Sequence, residues 1–134
     1  MSRASKINDF LDQTGFFYLA TVDGTQPKLR PLGAHLEKDG KVYFGIGSHK
    51  NVYRQILNNP LVEIVAYTNG QWLRYTGKVV FVDDSEVSEF FLSQHPELRK
   101  IYNAQTGHKL KPFYLENSTA LLIDMRGNTV EITE

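Results

Sequence analysis

Basic side chains and a hydroxyl gather at two places in the sequence. Ser48, His49 and Lys50 follow the glycines of FGIGSHKNVYRQILNNP (44–60), and Arg30 stands in LRPLG (29–33). If Ser48 caps a helix over His49–Leu57, its hydroxyl and the unpaired N–H groups of the first turn converge on one spot, where the helix dipole favours negative charge. Lys50 in that turn opposes the dipole by about 0.3–1 kcal/mol unless an anion neutralises both. A phosphate shared among Lys50, Arg30, the Ser48 hydroxyl and one or two N–H groups fits. A plainly capped helix with a solvated lysine fits as well, and pattern alone leaves both readings open.

Arg30 shares a strand face with Leu32, Ala34 and Leu36 if alternation carries through Pro31. A proline within a strand belongs at an edge or bulge, and the following Gly33 suggests that another group approaches the backbone closely. An arginine on such a face either snorkels to water or meets a bound anion. Trp72 and Arg74 alternate onto one face of a later strand, with Tyr75 on the other. Trp72 suits a core, an oligomer interface or the flat edge of a cofactor.

Other chemistries find no footing. His35, His49, His95 and His108 show no metal-ligand spacing, and the chain has no cysteine, so no metal site is expected. Asp83 and Asp84 are explained by helix capping. No G-x-S-x-G elbow supports a hydrolase triad, and GIG lacks the third glycine and the βαβ context of a dinucleotide fingerprint.

The elements that must position these residues are short. Ser2–Gln13 carries Ile7, Phe10 and Leu11 at helical spacing before Gly15. FFYLATV (16–22) reads as a strand followed by the turn residues DGTQP, and Lys28–Glu37 reads as another. Asp39-Gly40 and Asn69-Gly70 mark two-residue hairpins, the second between LVEIVAYT (61–68) and QWLRYTGKVVFVD (71–83). The helix after Ser48 has its stripe at Val52, Tyr53, Ile56 and Leu57 and stops before Pro60. Asp83–Glu86 leads into a helix over Val87–Gln94, and Pro96 opens another to about Asn103. Gln105–Lys111 reads as loop, and STALLIDM and TVEIT bracket the turn RGN. About seven strands, mostly hairpin-joined, with small inserted helices and no βαβ rhythm, predict a mainly β fold with a closed or nearly closed antiparallel barrel.

Composition sets the frame. At 134 residues the chain is expected to form a single domain, 1–134, and its 41% hydrophobic and 22% charged residues are ordinary for a globular protein. Fifteen basic and fifteen acidic residues cancel, so the field that draws proteins to nucleic acid or anionic membrane is missing. With no signal-like or membrane-spanning stretch, the expected place is the cytoplasm, and neither nucleic acid nor membrane is an expected partner.

The order of ATVDGTQPKLRPLG, GKVYFGIGSHKNVYRQILNNPLVEI and WLRYTGKV resembles the pyridoxamine 5'-phosphate oxidase-like, FMN-binding split-barrel superfamily, especially its short general-stress-protein-type members. The likeness covers roughly 16–82. It implies an antiparallel split barrel that forms a homodimer and binds FMN in clefts between the subunits. By this resemblance Arg30, Pro31 and Leu32 run along the flavin with Arg30 towards its phosphate, Ile46, Gly47 and Ser48 line it, and Lys50 binds the phosphate. His49 falls where the oxidases carry an arginine, and Trp72 falls near a position where they place a glutamine against the ring. The oxidases end in a segment with arginine and histidine that grips the substrate phosphate, whereas this chain ends DMRGNTVEITE with only Arg126 nearby. The vitamin B6 oxidase reaction is therefore not expected.

The expectation is an FMN-dependent oxidoreductase moving electrons from a reduced donor to a small-molecule acceptor, with no catalytic acid or base marked. The rival is a barrel that holds flavin, haem or a related ligand as a carrier or sensor without turnover. Binding of single-stranded nucleic acid would need a basic groove with stacking aromatics, which the neutral charge opposes.

Overall fold

A computed structural model describes residues 1–134. Helix α1, Arg3–Thr14, starts at Ser2, whose hydroxyl accepts the Ser5 N–H at 3.0 Å, and it ends at Gly15 with φ 76°. Such a cap stabilises a helix by about 1 kcal/mol. Ala4, Ile7, Phe10 and Leu11 form its buried stripe.

The hairpins follow their turn residues. Strands β1 (Phe17–Asp23) and β2 (Gln26–Leu32) are joined through Gly24-Thr25, β3 (His35–Lys38) and β4 (Lys41–Gly47) through Asp39-Gly40. Helix α2 (Asn51–Asn58) then leads to β5 (Leu61–Thr68), which turns through Asn69-Gly70 into β6 (Gln71–Phe81). Asp39 and Gly40 have φ of 52° and 77°, and Asn69 and Gly70 have 52° and 76°. Positive φ at both positions matches the twist of the strands, which is why Asn-Gly and Asp-Gly sit there. Helix α3 (Ser85–Gln94), capped by Asp84 through the Glu86 N–H, and a 3₁₀ helix (Pro96–Lys100) precede the long β7 (Leu110–Asp124) and short β8 (Thr129–Glu131).

All pairings are antiparallel, in the order β2-β1-β5-β6-β7-β4-β3, with β8 on β7. The curled sheet has β2 and β3 as its two edges, joined by Gly33-Ala34, and α1 packs across β3, β4 and β5. This is the split antiparallel barrel the sequence leads one to expect. Phe17, Phe44 and Phe113 meet inside it with ring centroids 5.5 and 5.6 Å apart. A smaller core of Leu36, Tyr43, Val87, Phe91 and Leu110 lies outside the barrel, beneath α3. No helix is long and apolar enough to cross a membrane.

Four local expectations are corrected. Lys28–Glu37 is not one strand but breaks at Gly33-Ala34, where the chain leaves one edge of the sheet for the other. There are eight strands rather than about seven, and β7 begins at Leu110, inside the segment read as loop and well before Ser118. Pro112 hides that start, yet it costs the β6 ladder nothing because the β6–β7 pairing begins at Phe81–Phe113, while the Pro112 carbonyl accepts the Val82 N–H. The segment from Pro96 towards Asn103 is a 3₁₀ helix that stops at Lys100.

The fourth correction bears on the candidate site. Ser48 does not cap α2: the cap position belongs to Lys50, and no side chain bonds the first turn. The Ser48 N–H is already donated to the Lys109 carbonyl at 2.9 Å, extending the β4–β7 ladder, and the Lys50 N–H closes a turn on the Gly47 carbonyl at 3.1 Å. The ladder therefore delays the helix by two residues. The stripe of α2 is also rotated, burying Val52, Gln55 and Ile56 while leaving Leu57 59% exposed.

Candidate functional site

Where the chain crosses from β2 to β3, the ends of β2 and β4 face the 3₁₀ helix and the loop after it across a cleft of about 720 Å³. That size is in the range of small-ligand and cofactor sites. Seven of the sequence-derived candidates line it: Arg30, Pro31, Leu32, Ile46, Gly47, His49 and Lys50. Ser48 and Trp72 do not. Ser48 sits between two lining residues with its N–H spent on Lys109, and Trp72 lies on β6 in register with Tyr67 and Ile123.

Two layers build the cleft. Its floor is Arg30, whose Nη1 donates to Thr21 Oγ1 at 2.7 Å and to the Leu19 carbonyl at 3.1 Å, and whose Nη2 donates to Gln55 Oε1 at 2.9 Å. The Thr21 hydroxyl in turn donates to Gln55 Oε1 at 2.6 Å. Thr21 and Gln55 are only 2% and 4% exposed. Burial pushes the guanidinium below its ordinary pKa, though an arginine stays charged at neutral pH. Five N–H donors less three leave two, Nε–H and one on Nη2, along one flank of the planar group. Lys50, an exposed residue, lines the same cleft.

The opposite wall comes from Leu98, Ile101, Tyr102 and His108. His108 stacks on His49 with ring centroids 3.6 Å apart and planes 9° from parallel. Desolvation pushes the His49 pKa below its ordinary value, and positive charge at His108 and Lys50 pushes the same way. A neutral imidazole at pH 7 follows. Gly47 makes this wall possible: a Cβ there would lie 2.6 Å from His49 Cε1 and 3.0 Å from the Tyr102 hydroxyl. Gly45 likewise admits Leu110 and the Phe91 ring, at 2.8 and 3.2 Å from its would-be Cβ. The glycines of GIG are thus packing devices.

Sequence reasoning missed Thr21, Gln55 and the entire outer wall. Gln55 carried a signal, since a polar residue at i+3 between Val52 and Ile56 falls on the buried stripe. Thr21 carried one too, as an inward-facing polar residue of β1 in phase with Phe17 and Leu19. The wall had none, because its place against Gly47 depends on how α3 packs outside the barrel.

Beside the cleft, the outer sheet face carries Leu29, Tyr18, Val65, Tyr67 and Trp72, with Leu29 67% and Tyr67 58% exposed. Pro31 pairs with Tyr18 and so belongs to this face as well as to the cleft. The Arg74–Glu63 ion pair at 3.5 Å crosses an otherwise largely apolar band.

The family model described as pyridoxamine 5'-phosphate oxidase matches residues 4–123. Among solved structures the chain is similar to a NimC/NimA family protein from Clostridium acetobutylicum, 34% identical over 96% of this chain and 92% of that one, with a TM-score of 0.86. It shares its fold with general stress protein 26 from Bacillus anthracis str. Sterne, at 15% identity over 98% and 99% of the two chains and a TM-score of 0.70. A protein related to general stress protein 26 from Clostridium acetobutylicum has the same fold, at 9% identity over 99% and 96% and a TM-score of 0.73. No curated protein matches.

Proposed function

The chain belongs to the pyridoxamine 5'-phosphate oxidase family, and from that premise we propose that it is a homodimeric FMN-binding flavoprotein that passes electrons from a reduced donor to a small-molecule acceptor. One observation carries the reading: two cations, Arg30 with two unspent N–H donors and Lys50, share a cleft with apolar residues of β2 and β4. These residues fit a flavin phosphate, because a dianion takes a flank of guanidinium donors and an ammonium together. Ser48 contributes through the chain path rather than as a helix cap.

Bound FMN supplies the redox chemistry, and the protein supplies anchoring, orientation and a dry surface. Leu32, Ile46 and Pro31 offer apolar surface along the cleft, and His49 presents a neutral ring beside Lys50. The apolar outer face that Pro31 shares with the cleft supports dimerisation there, which would bring Trp72 to the interface and close the open side of the cleft. Absence of cysteine accords with a reducing cytoplasm.

The test is a visible spectrum of the purified protein loaded with FMN, followed by anaerobic NADH or NADPH and by light scattering for mass. A yellow dimer that bleaches is expected. A yellow protein that neither donor bleaches is a carrier or sensor, and a protein that takes up no FMN overturns the proposal.

A further inference from the structure

Arg54, Arg74 and Arg99 each meet a carboxylate. Arg30, buried more deeply, meets only the neutral oxygens of Leu19, Thr21 and Gln55. We infer that Thr21 on β1 and Gln55 on α2 are positioning residues for an anion at Arg30: they grip the end of the guanidinium and hold its remaining two donors in one fixed direction. The inference rests on the reading of the cleft as a site for a phosphate-bearing flavin.

A buried hydroxyl and a buried amide cost free energy unless they are hydrogen-bonded, and apolar side chains of the same volume would serve the barrel as well. Their presence needs a partner that uses them. Gln55 Oε1 accepts from both Thr21 and Arg30, so the three groups form one bonded unit joining β1, α2 and the edge strand β2. A long side chain on an edge strand ordinarily loses rotamer freedom when it binds a ligand; one already held loses less. Neutral partners matter equally. A carboxylate at residue 55 would cancel the charge that the anion needs, whereas an amide orients the guanidinium and leaves its charge intact.

The experiment compares FMN with riboflavin, which lacks the phosphate, on cofactor-free protein. Thr21→Val and Gln55→Leu are expected to weaken FMN about three- to tenfold, the range for freeing one rotamer-rich side chain, with riboflavin affinity unchanged. Gln55→Glu is expected to weaken FMN by more than either, again sparing riboflavin. Independently of any flavin, NMR of the Arg30 Nη–H groups is expected to show restricted rotation in the wild type and averaging in Thr21→Val. Equal losses for both ligands would mean that the pair merely supports the barrel, and the inference falls. It falls too if FMN affinity is unmoved while Arg30→Ala lowers it. A wild type that binds no FMN but keeps the restricted Arg30 signal overturns the proposed function and leaves the clamp.

Discussion

The two sides of the cleft are built by opposite means. The floor is a bonded unit of Arg30, Thr21 and Gln55 set into a barrel core, tying the β1–β2 hairpin to α2. The wall is local: Asn103 Nδ2 donates to the carbonyls of Arg99 and Lys100, its Oδ1 accepts from the N–H groups of Gln105 and Thr106, and the Thr106 hydroxyl donates to the Ile101 carbonyl at 2.6 Å. Its ties to the barrel include the His49–His108 stack and the Ser48–Lys109 bond. A ligand group common to many reactions needs a fixed anchor, while a wall that folds on itself can vary without unfolding the anchor. On the proposed reading the floor serves the cofactor and the wall faces the substrate.

The strongest way to break this contrast is to remove the support under the floor. Phe44 is fully buried and touches Phe17, Tyr75 and Phe113. Phe44→Ala is expected to cost about 3–5 kcal/mol, the lost transfer energy plus the cavity left behind. Chemical denaturation checks it, and a loss below about 1 kcal/mol would show that the floor does not depend on this core.

Smaller effects separate the cations from the wall. Arg30→Ala or Lys50→Ala is expected to weaken FMN by about 1–3 kcal/mol, the scale of a charge-assisted hydrogen bond, as measured by fluorescence titration. Tyr102→Phe keeps the ring and is expected to leave FMN affinity where it is. Unchanged affinity in both cation variants would place the phosphate elsewhere.

What the sequence made legible divides along the same line. Hairpins written in two residues, Asn69-Gly70 and Asp39-Gly40, were readable because their φ demands act locally. Pro31 was readable as an edge residue for the same kind of reason, whereas Gly47 was set beside Arg30 and Lys50 only by the family resemblance. The start of α2 was not readable, because the Ser48 N–H is claimed by Lys109, sixty-one residues away in the chain. Gln55 has the opposite difficulty: a polar residue within an apolar stripe looks like a break in it, although here it marks the buried side. The wall depends on Phe91 filling the space above Gly45, a contact between remote segments that no periodicity encodes.

The smallest expected effect concerns the wall alone, and its sign follows from His49. In the stacked arrangement the His49 pKa lies below its ordinary value, from desolvation first and then from His108 and Lys50. The docked wall therefore binds fewer protons than the opened one in the range just below the ordinary histidine value of about 6.5, so docking is favoured above that pH and weakens as pH falls through it. Limited proteolysis between Ile101 and His108 is expected to run faster at pH 5.5 than at pH 8, in conditions where global stability is unaltered. Asn103→Ala removes the bonds that shape the loop and is expected to raise cleavage at both pH values, by about 1 kcal/mol of local opening. His49→Ala should abolish the difference between the two pH values. If cleavage in that variant still quickens on acidification, the stack is not what holds the wall, and the floor and the wall are joined by some other contact.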